Sequence, residues 1–217
     1  MACGDDTTSS TPAPLDAELT TIAVARSKKL GDVAKVEGFV SVAPVTFFSA
    51  TGDLGFAIQD ETAGIYVNVY DNIAAPLGTK VRVLGQLLET GGQRILASGI
   101  GSITILNDPK VQVVPKDITT GSLNESVEGL LVRVVGKVSK APVDDKSGNL
   151  YYGVNTAVDD GTGEARIYVP INGKTQTPVI ATDTMTVGAT VEIIGFAQQF
   201  GTTYEIDPRR STDLVVQ

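Results

Sequence analysis

The run GTKVRVLG at positions 78–85 recurs as GATVEIIG at positions 188–195, and this pair decides the fold. Each copy opens on a glycine, alternates apolar with polar residues and closes on a second glycine. Such alternation is typical of a strand with one buried face. A glycine inside a strand marks a bulge or a close backbone approach. The pair therefore predicts one bent strand in each half of the chain.

The similarity between the two halves extends beyond this strand. The offset between matching positions is 98 at the first pair of segments and only grows along the chain, to 110 at the bent strand. Each increase falls between apolar strand cores, as loop insertions in a duplicated domain would produce. The further matching pairs are 36–41 with 134–139, 57–60 with 157–160, and 65–67 with 167–169.

The repeat divides the chain into three parts. Residues 1–19 form an acidic segment rich in Thr, Ser and Pro, 20–115 form the first copy and 116–217 the second. Each copy reads as five strands, with 102–106 and 213–216 as the last strand. The 42% of hydrophobic residues is enough to build two cores. We predict an all-β chain with two tandem barrels and a disordered N-terminal tether.

The motifs of the first copy resemble OB-fold domains of secreted bacterial proteins, and the second copy resembles the same family. The resemblance covers nearly everything after residue 20 and implies two five-stranded, OB-like Greek-key barrels. Its motifs are structural and do not identify a substrate. The segments that carry it are 21–26, 36–40, 58–60, 64–67 and 78–85 in the first copy, and 122–126, 128–129 and 131–134 in the second.

The N-terminal segment resembles the start of a mature bacterial lipoprotein. Cys3, the only cysteine, follows Ala2 and precedes an acidic Gly-Asp-Asp run. The resemblance implies acylation of Cys3 and an exported chain, anchored in the bacterial envelope and lying in the periplasm or on the cell surface. The lipid would be the only contact with the membrane. The alternative is a lone cysteine in a disordered cytosolic tail.

The composition excludes several kinds of chemistry. With no histidine, the chain has no Ser-His-Asp triad, Cys-His dyad or histidine metal site. The carboxylates lie mainly in turns, so we expect no enzyme, no cofactor and no metal site. The net charge of −8 comes without a basic stretch, which argues against a nucleic-acid partner.

The candidate ligand-binding residues follow from where OB folds bind, on the second and third strands and the adjoining loops. Tyr66, Asn68 and Tyr70 alternate with aliphatic residues, so they face away from the core and could stack on a ring. The alternative is an ordinary solvated strand face. The other candidates are Phe47, Phe48, Arg94, Arg166, Tyr168, Phe200, Tyr204 and Arg209.

The residues leave three functions open. We expect a non-catalytic, exported binding or scaffolding lipoprotein whose partner is a protein or a carbohydrate rather than a nucleic acid. The first alternative is binding of single-stranded nucleic acid through the OB faces. The second is a structural subunit that forms homo-oligomers, surface filaments or larger assemblies through exposed strand edges.

Overall fold

The computed structural model describes residues 16–49 and 52–217. Two seven-stranded sheets follow one another along the chain, and helices contribute only short segments. The predicted all-β architecture is therefore confirmed. Cys3 and most of the predicted tether lie outside the described residues. Within residues 16–49 and 52–217, no helix has the length and apolar character needed to cross a membrane.

The first sheet closes into a five-stranded barrel. β2, β3, β4, β6 and β5 are hydrogen-bonded in that order, and β5 returns to pair with β2. Among these five described strands only β4 and β6 pair in parallel, which gives the Greek-key order of an OB barrel. The elements are β1 (Leu19–Thr20), α1 (Ile22–Ser27), β2 (Val33–Val42), β3 (Phe56–Gln59), β4 (Gly64–Asn68), β5 (Lys80–Thr90), β6 (Gln93–Ala97) and β7 (Ile103–Ile105), with a 3₁₀ turn at Ile100–Ser102.

The second sheet repeats this topology. β9, β10, β11, β13 and β12 are hydrogen-bonded in order, β12 closes on β9, and β11 and β13 are parallel. The strands are β8 (Lys116–Asp117), β9 (Leu131–Ser147), β10 (Leu150–Asp159), β11 (Glu164–Pro170), β12 (Thr190–Phe200), β13 (Thr203–Asp207) and β14 (Leu214–Val216). The 3₁₀ turns are Thr120–Ser122, Glu125–Val127 and Ser211–Asp213.

One strand assignment in each copy is wrong. Segments 102–106 and 213–216 do not close the barrels, because β6 and β13 hold the fifth position in each. β7 and β14 add to the outer edges of β5 and β12 instead. The glycine-containing hairpins between β5 and β6 and between β12 and β13 are tight enough to return the chain at once, and this leaves the later segments outside the barrel.

The duplicated sequence keeps its register in the structure. At the closing seam of the first barrel, Gly38 pairs with Val81, and at the same place in the second barrel Gly136 pairs with Val191. The offsets of 98 and 110 read from the sequence are the offsets of these partners. The repeat therefore describes two copies of one barrel, in which β9 and β10 of the second copy are longer than their counterparts β2 and β3.

A matching pair of turns ties each entry segment to its barrel. Asp60 accepts a hydrogen bond from the backbone N–H of Ile22 at 2.8 Å, and Asp160 accepts one from Thr120 at 3.1 Å. Both aspartates also accept from a threonine two residues later, as Asx turns do. In the first copy this fixes the start of α1, and in the second it fixes a 3₁₀ turn.

The mid-strand glycines lie where two strands meet. A Cβ at Gly85 would lie 2.5 Å from the Ala97 carbonyl oxygen of β6, and a Cβ at Gly195 would lie 2.5 Å from the Ile206 side chain of β13. Gly85 pairs with β2 at the point where β5 also begins to pair with β6. The close backbone approach expected at these glycines is therefore confirmed.

Each barrel has its own apolar core, and a third cluster joins them. Val42 and Ala57 of the first barrel pack with Phe196 of the second, and Phe47 and Tyr66 lie against them. The first core contains Ile22, Val36, Ile58, Ile65, Val83, Leu87 and Leu96, among others, and the second contains Val132, Val134, Val158, Ile167, Ile193 and Ile206.

Buried polar contacts reinforce the junction between the barrels. The carboxylate of Glu128 accepts from the guanidinium of Arg26 at 2.9 Å and from the backbone N–H of Arg94 at 3.1 Å. Gly64 and Gly129 pack backbone against backbone, so closely that a Cβ on either would overlap its neighbour. Glycine is the only residue without a side chain to obstruct this approach.

Candidate functional site

An open groove of about 480 Å³ lies where the two barrels meet. It is formed by β4, the loop after β2, the tips of the β5–β6 and β12–β13 hairpins, and β11. These are the strands and loops that form the binding face of OB folds. The structure brings together here most of the predicted site residues: Phe47, Phe48, Tyr66, Asn68, Tyr70, Tyr168 and Phe200.

The floor of the groove is built on β4. Ile65 and Val67 point into the barrel core, so Tyr66 and Asn68 face outward, as the alternation predicts. The Tyr66 ring is nevertheless covered, because it packs against Phe196 with the ring centroids 6.3 Å apart. Its hydroxyl donates to Asp53 at 2.7 Å. Tyr66 therefore joins the barrels and supports the floor of the groove.

Three aromatic side chains remain accessible around the groove. Tyr70 is 62% exposed, Phe200 67% and Phe48 39%. Phe200 is placed by the meeting of two hairpin tips, where Gly201 donates its backbone N–H to the carbonyl of Gly91 at 2.6 Å. Exposure of an aromatic ring to water is unfavourable, and a ligand that stacks on the ring would remove this apolar surface from water.

The polar groups of the groove include amides, carboxyls and hydroxyls. Asn68, Gln93 and Gln199 line it together with Asp53 and Asp207, and none of its described lining residues is a lysine or an arginine. Amides can both donate to and accept from a base edge, whereas carboxylates accept from amino groups. The groove is therefore suited to aromatic ligands that carry N–H donors and is unsuited to anions.

Asp207 is buried at the inner wall. Its Oδ2 accepts from Gln198 Nε2 at 2.7 Å, and within the described residues its Oδ1 has no partner. Burial raises the pKa of this carboxyl well above its usual range, and the neighbouring Glu205 adds to the effect. Burial also raises the pKa of Glu205, which Arg166 opposes from 3.1 Å.

Arg166 and Tyr204 lie outside the groove, in a depression on the second barrel. Arg166 donates to Asn155 at 2.9 Å and lies 5.6 Å from the ring centroid of Tyr168. Tyr204 donates to Glu125 at 3.0 Å; partial burial and then this carboxylate raise its pKa to about 12. Both side chains are held in contacts within the protein.

The two remaining predicted arginines occupy structural positions. The guanidinium of Arg94 donates to the backbone carbonyls of Arg26 and Lys28, beneath the hairpin tips. Arg209 is buried against Asp213 and donates to the Ser41 carbonyl of the other barrel at 2.7 Å. Arg209 also lines a separate cleft, together with Arg210 and Lys110. In residues 16–49 and 52–217, no group of three acidic or cysteine side chains could hold a metal ion.

No protein-family model and no curated protein sequence matches the chain. Among solved structures, it is similar to a murine DNA-binding protein bound with double-stranded DNA, with a TM-score of 0.40 and 14% identity over 80% of this chain and 90% of that one. The chain is also similar to the Ifi202 HINa domain in complex with 20-bp double-stranded DNA. The TM-score is 0.35 and the identity 10%, over 84% of this chain and 94% of that one.

A third similar structure is a deletion mutant of the single-stranded DNA-binding protein from Thermus aquaticus, with a TM-score of 0.26 and 13% identity over 87% of this chain and 94% of that one. At such identities the likeness is one of fold. None of the three is described as an enzyme. The expectation of a protein or carbohydrate partner is wrong on this comparison, because these proteins are described as binding DNA.

Proposed function

We propose that this protein binds single-stranded nucleic acid through the groove between its two OB barrels. The observation that carries the proposal is the exposed aromatic rim of Phe48, Tyr70 and Phe200 around a floor of hydrogen-bonding amides. Every base has a face that can stack on such a ring, and each stack contributes about 1–3 kcal/mol.

The charge of the groove decides how a strand would lie in it. Asp53 lines the interior, where a phosphate would meet its carboxyl oxygens, and no lysine or arginine is among the described lining residues. The bases therefore point inward and the phosphates outward. A duplex offers only base edges, whereas a single strand can turn its base faces onto the rim. This is the reason for preferring a single strand over the duplex.

The test is a titration with fluorescently labelled single-stranded oligonucleotides at about 0.15 M salt, the physiological ionic strength. We expect Tyr70→Ala and Phe200→Ala each to weaken binding by roughly 5- to 150-fold, the equivalent of one lost stack. Val187→Ala is the matched control, because Val187 is equally exposed but lies away from the groove. Absence of saturable binding up to about 10⁻⁴ M, the weak end of non-specific binding, would refute the proposal.

We also propose that the protein is exported and tethered to the bacterial envelope by a lipid on Cys3. The support is the Ala-Cys-Gly context and the Thr/Ser/Pro-rich residues that follow it, a composition typical of flexible linkers. When the gene is expressed in its own host, we expect the protein to partition into detergent and its N-terminal peptide to carry a lipid mass. Cys3→Ser should partition into water. An aqueous wild-type protein with no lipid mass contradicts the anchor.

A further inference from the structure

A second cavity, of about 560 Å³, lies on the other side of the contact between the barrels and carries positive charge. The linker between the two copies forms one wall through Lys110, and Arg209 and Arg210 form another. This basic cleft shares no lining residue with the aromatic groove. Asp213 is its only described acidic lining residue, so three cations against one carboxylate leave two net positive charges.

The two arginines are held differently. Arg209 makes a paired contact with Asp213, Nε to Oδ2 at 2.9 Å and Nη2 to Oδ1 at 3.0 Å, and both side chains are buried. Such a forked pair fixes the orientation of the guanidinium. Arg210 reaches the same carboxylate only through Nε, at 3.4 Å, and its side chain is 53% exposed.

Donors in the cleft are left without acceptors. In the described part of the chain, neither Lys110 nor the terminal nitrogens of Arg210 have a hydrogen-bond or ion-pair partner. Asp213 is already shared by two arginines and cannot satisfy them further. A guanidinium with a free fork beside an ammonium group is the arrangement that recognises a phosphate.

The outer face of β12 connects the two sites. Ile194 lines the basic cleft, Phe196 lies in the contact between the barrels, and Gln198 lines the aromatic groove. Alternate residues of a strand share one face and advance about 3.4 Å per residue, so the cleft and the groove are about 14 Å apart along β12. A nucleic-acid strand that leaves the aromatic groove can reach the basic cleft only by passing around the contact between the two barrels.

We propose that the basic cleft binds a phosphate of the nucleic-acid backbone, at a point beyond the bases held in the aromatic groove. The inference rests on the proposed function. It also implies that oligonucleotides too short to leave the groove gain nothing from the cleft. The cleft thereby supplies the electrostatic part of binding that the acidic groove lacks.

The test compares the salt dependence of binding for oligonucleotides of about 4 and about 20 nucleotides. In single strands, log K falls with log salt by about 0.7 per phosphate neutralised. Because the two side chains hold one phosphate, Lys110→Gln with Arg210→Gln should lower the slope for the long strand by about 0.7 and leave the short strand unchanged. Lys29→Gln with Lys174→Gln removes two exposed cations elsewhere and should change neither slope.

The outcomes separate the two proposals. An unchanged slope for the long strand in the cleft variant, while Tyr70→Ala still weakens binding, overturns the cleft and leaves the groove standing. If inorganic phosphate alone binds at the cleft but the slope does not change, the site takes free phosphate and the backbone role is overturned. If the wild-type protein binds neither oligonucleotides nor inorganic phosphate, both proposals fail.

Discussion

At the scale of single residues, burial controls what the acidic side chains do. Asp207 is buried beside Glu205, and its only hydrogen-bond partner among the described residues is the neutral amide of Gln198. Asp160, in contrast, is exposed and accepts from Thr162 and Thr120, which lowers its pKa. The sequence presents both as ordinary acidic residues next to strands. Only the packing of β13 against β12 separates their roles.

This difference gives Asp207 a defined effect on stability. Its folded pKa lies above the value of about 3.9 expected in the unfolded chain, so the folded state keeps the proton over a range where the unfolded state has lost it. The free energy of unfolding should therefore fall as the pH rises from about 4 through the raised pKa. Asp207→Asn, which retains an acceptor for Gln198, should flatten that fall.

Urea unfolding at several pH values between about 4 and 8 measures this effect. Glu205 faces Asp207 and also has a raised pKa, so some slope remains in the variant. Asp160→Asn is the control, because Asp160 has the opposite effect on the pH dependence of the free energy of unfolding. Its lowered pKa contributes stability above about pH 4 that is lost on acidification. If the free energy of unfolding changes equally with pH in Asp207→Asn and in the wild type, Asp207 is ionised in the folded protein over the whole pH range measured.

At the scale of elements, the sequence predicted the barrel strands well and the connections poorly. The alternation in β5 and β12 and the glycines Gly85 and Gly195 were sufficient, because burial on one face and a tight corner each leave a local signature. The assignment of 102–106 as a barrel strand failed because a short apolar run does not show whether it closes a barrel or extends an edge. That choice depends on the hairpin before it, which brings β6 back along β5.

The groove illustrates the same limit. The alternation along β4 correctly placed Tyr66 and Asn68 on the outer face. It could not show that Phe196 covers the Tyr66 ring, because the two residues are distant in sequence and lie in different barrels. The alternation also could not show that Lys110 and Arg210 line one cleft, because they too are distant in sequence. Side chains that meet across a junction between domains carry no periodic signal.

At the scale of the whole molecule, the division into 20–115 and 116–217 remains a prediction about folding. Each barrel has a complete hydrogen-bonded seam and its own core. The contact between them adds an apolar cluster around Phe196 and the buried carboxylate of Glu128 on Arg26. A buried ion pair is costly to break by removing one partner, at about 3–5 kcal/mol, because it leaves an uncompensated charge.

The two fragments should therefore fold separately but be less stable than the whole chain. About 100 residues is enough for an independent core, though small domains are marginal. We expect each fragment to give a dispersed amide spectrum and to unfold at a lower urea concentration than the intact protein. Glu128→Ala in the intact chain should move its midpoint toward those of the fragments, whereas Lys35→Ala, which breaks only a surface pair with Asp16, should not.

If both fragments are unfolded, the barrels depend on each other and the boundary near residue 115 does not separate folding units. If fragments and whole unfold at the same midpoint, the contact beneath the groove contributes nothing to stability, and the barrels would be free to separate when a ligand enters.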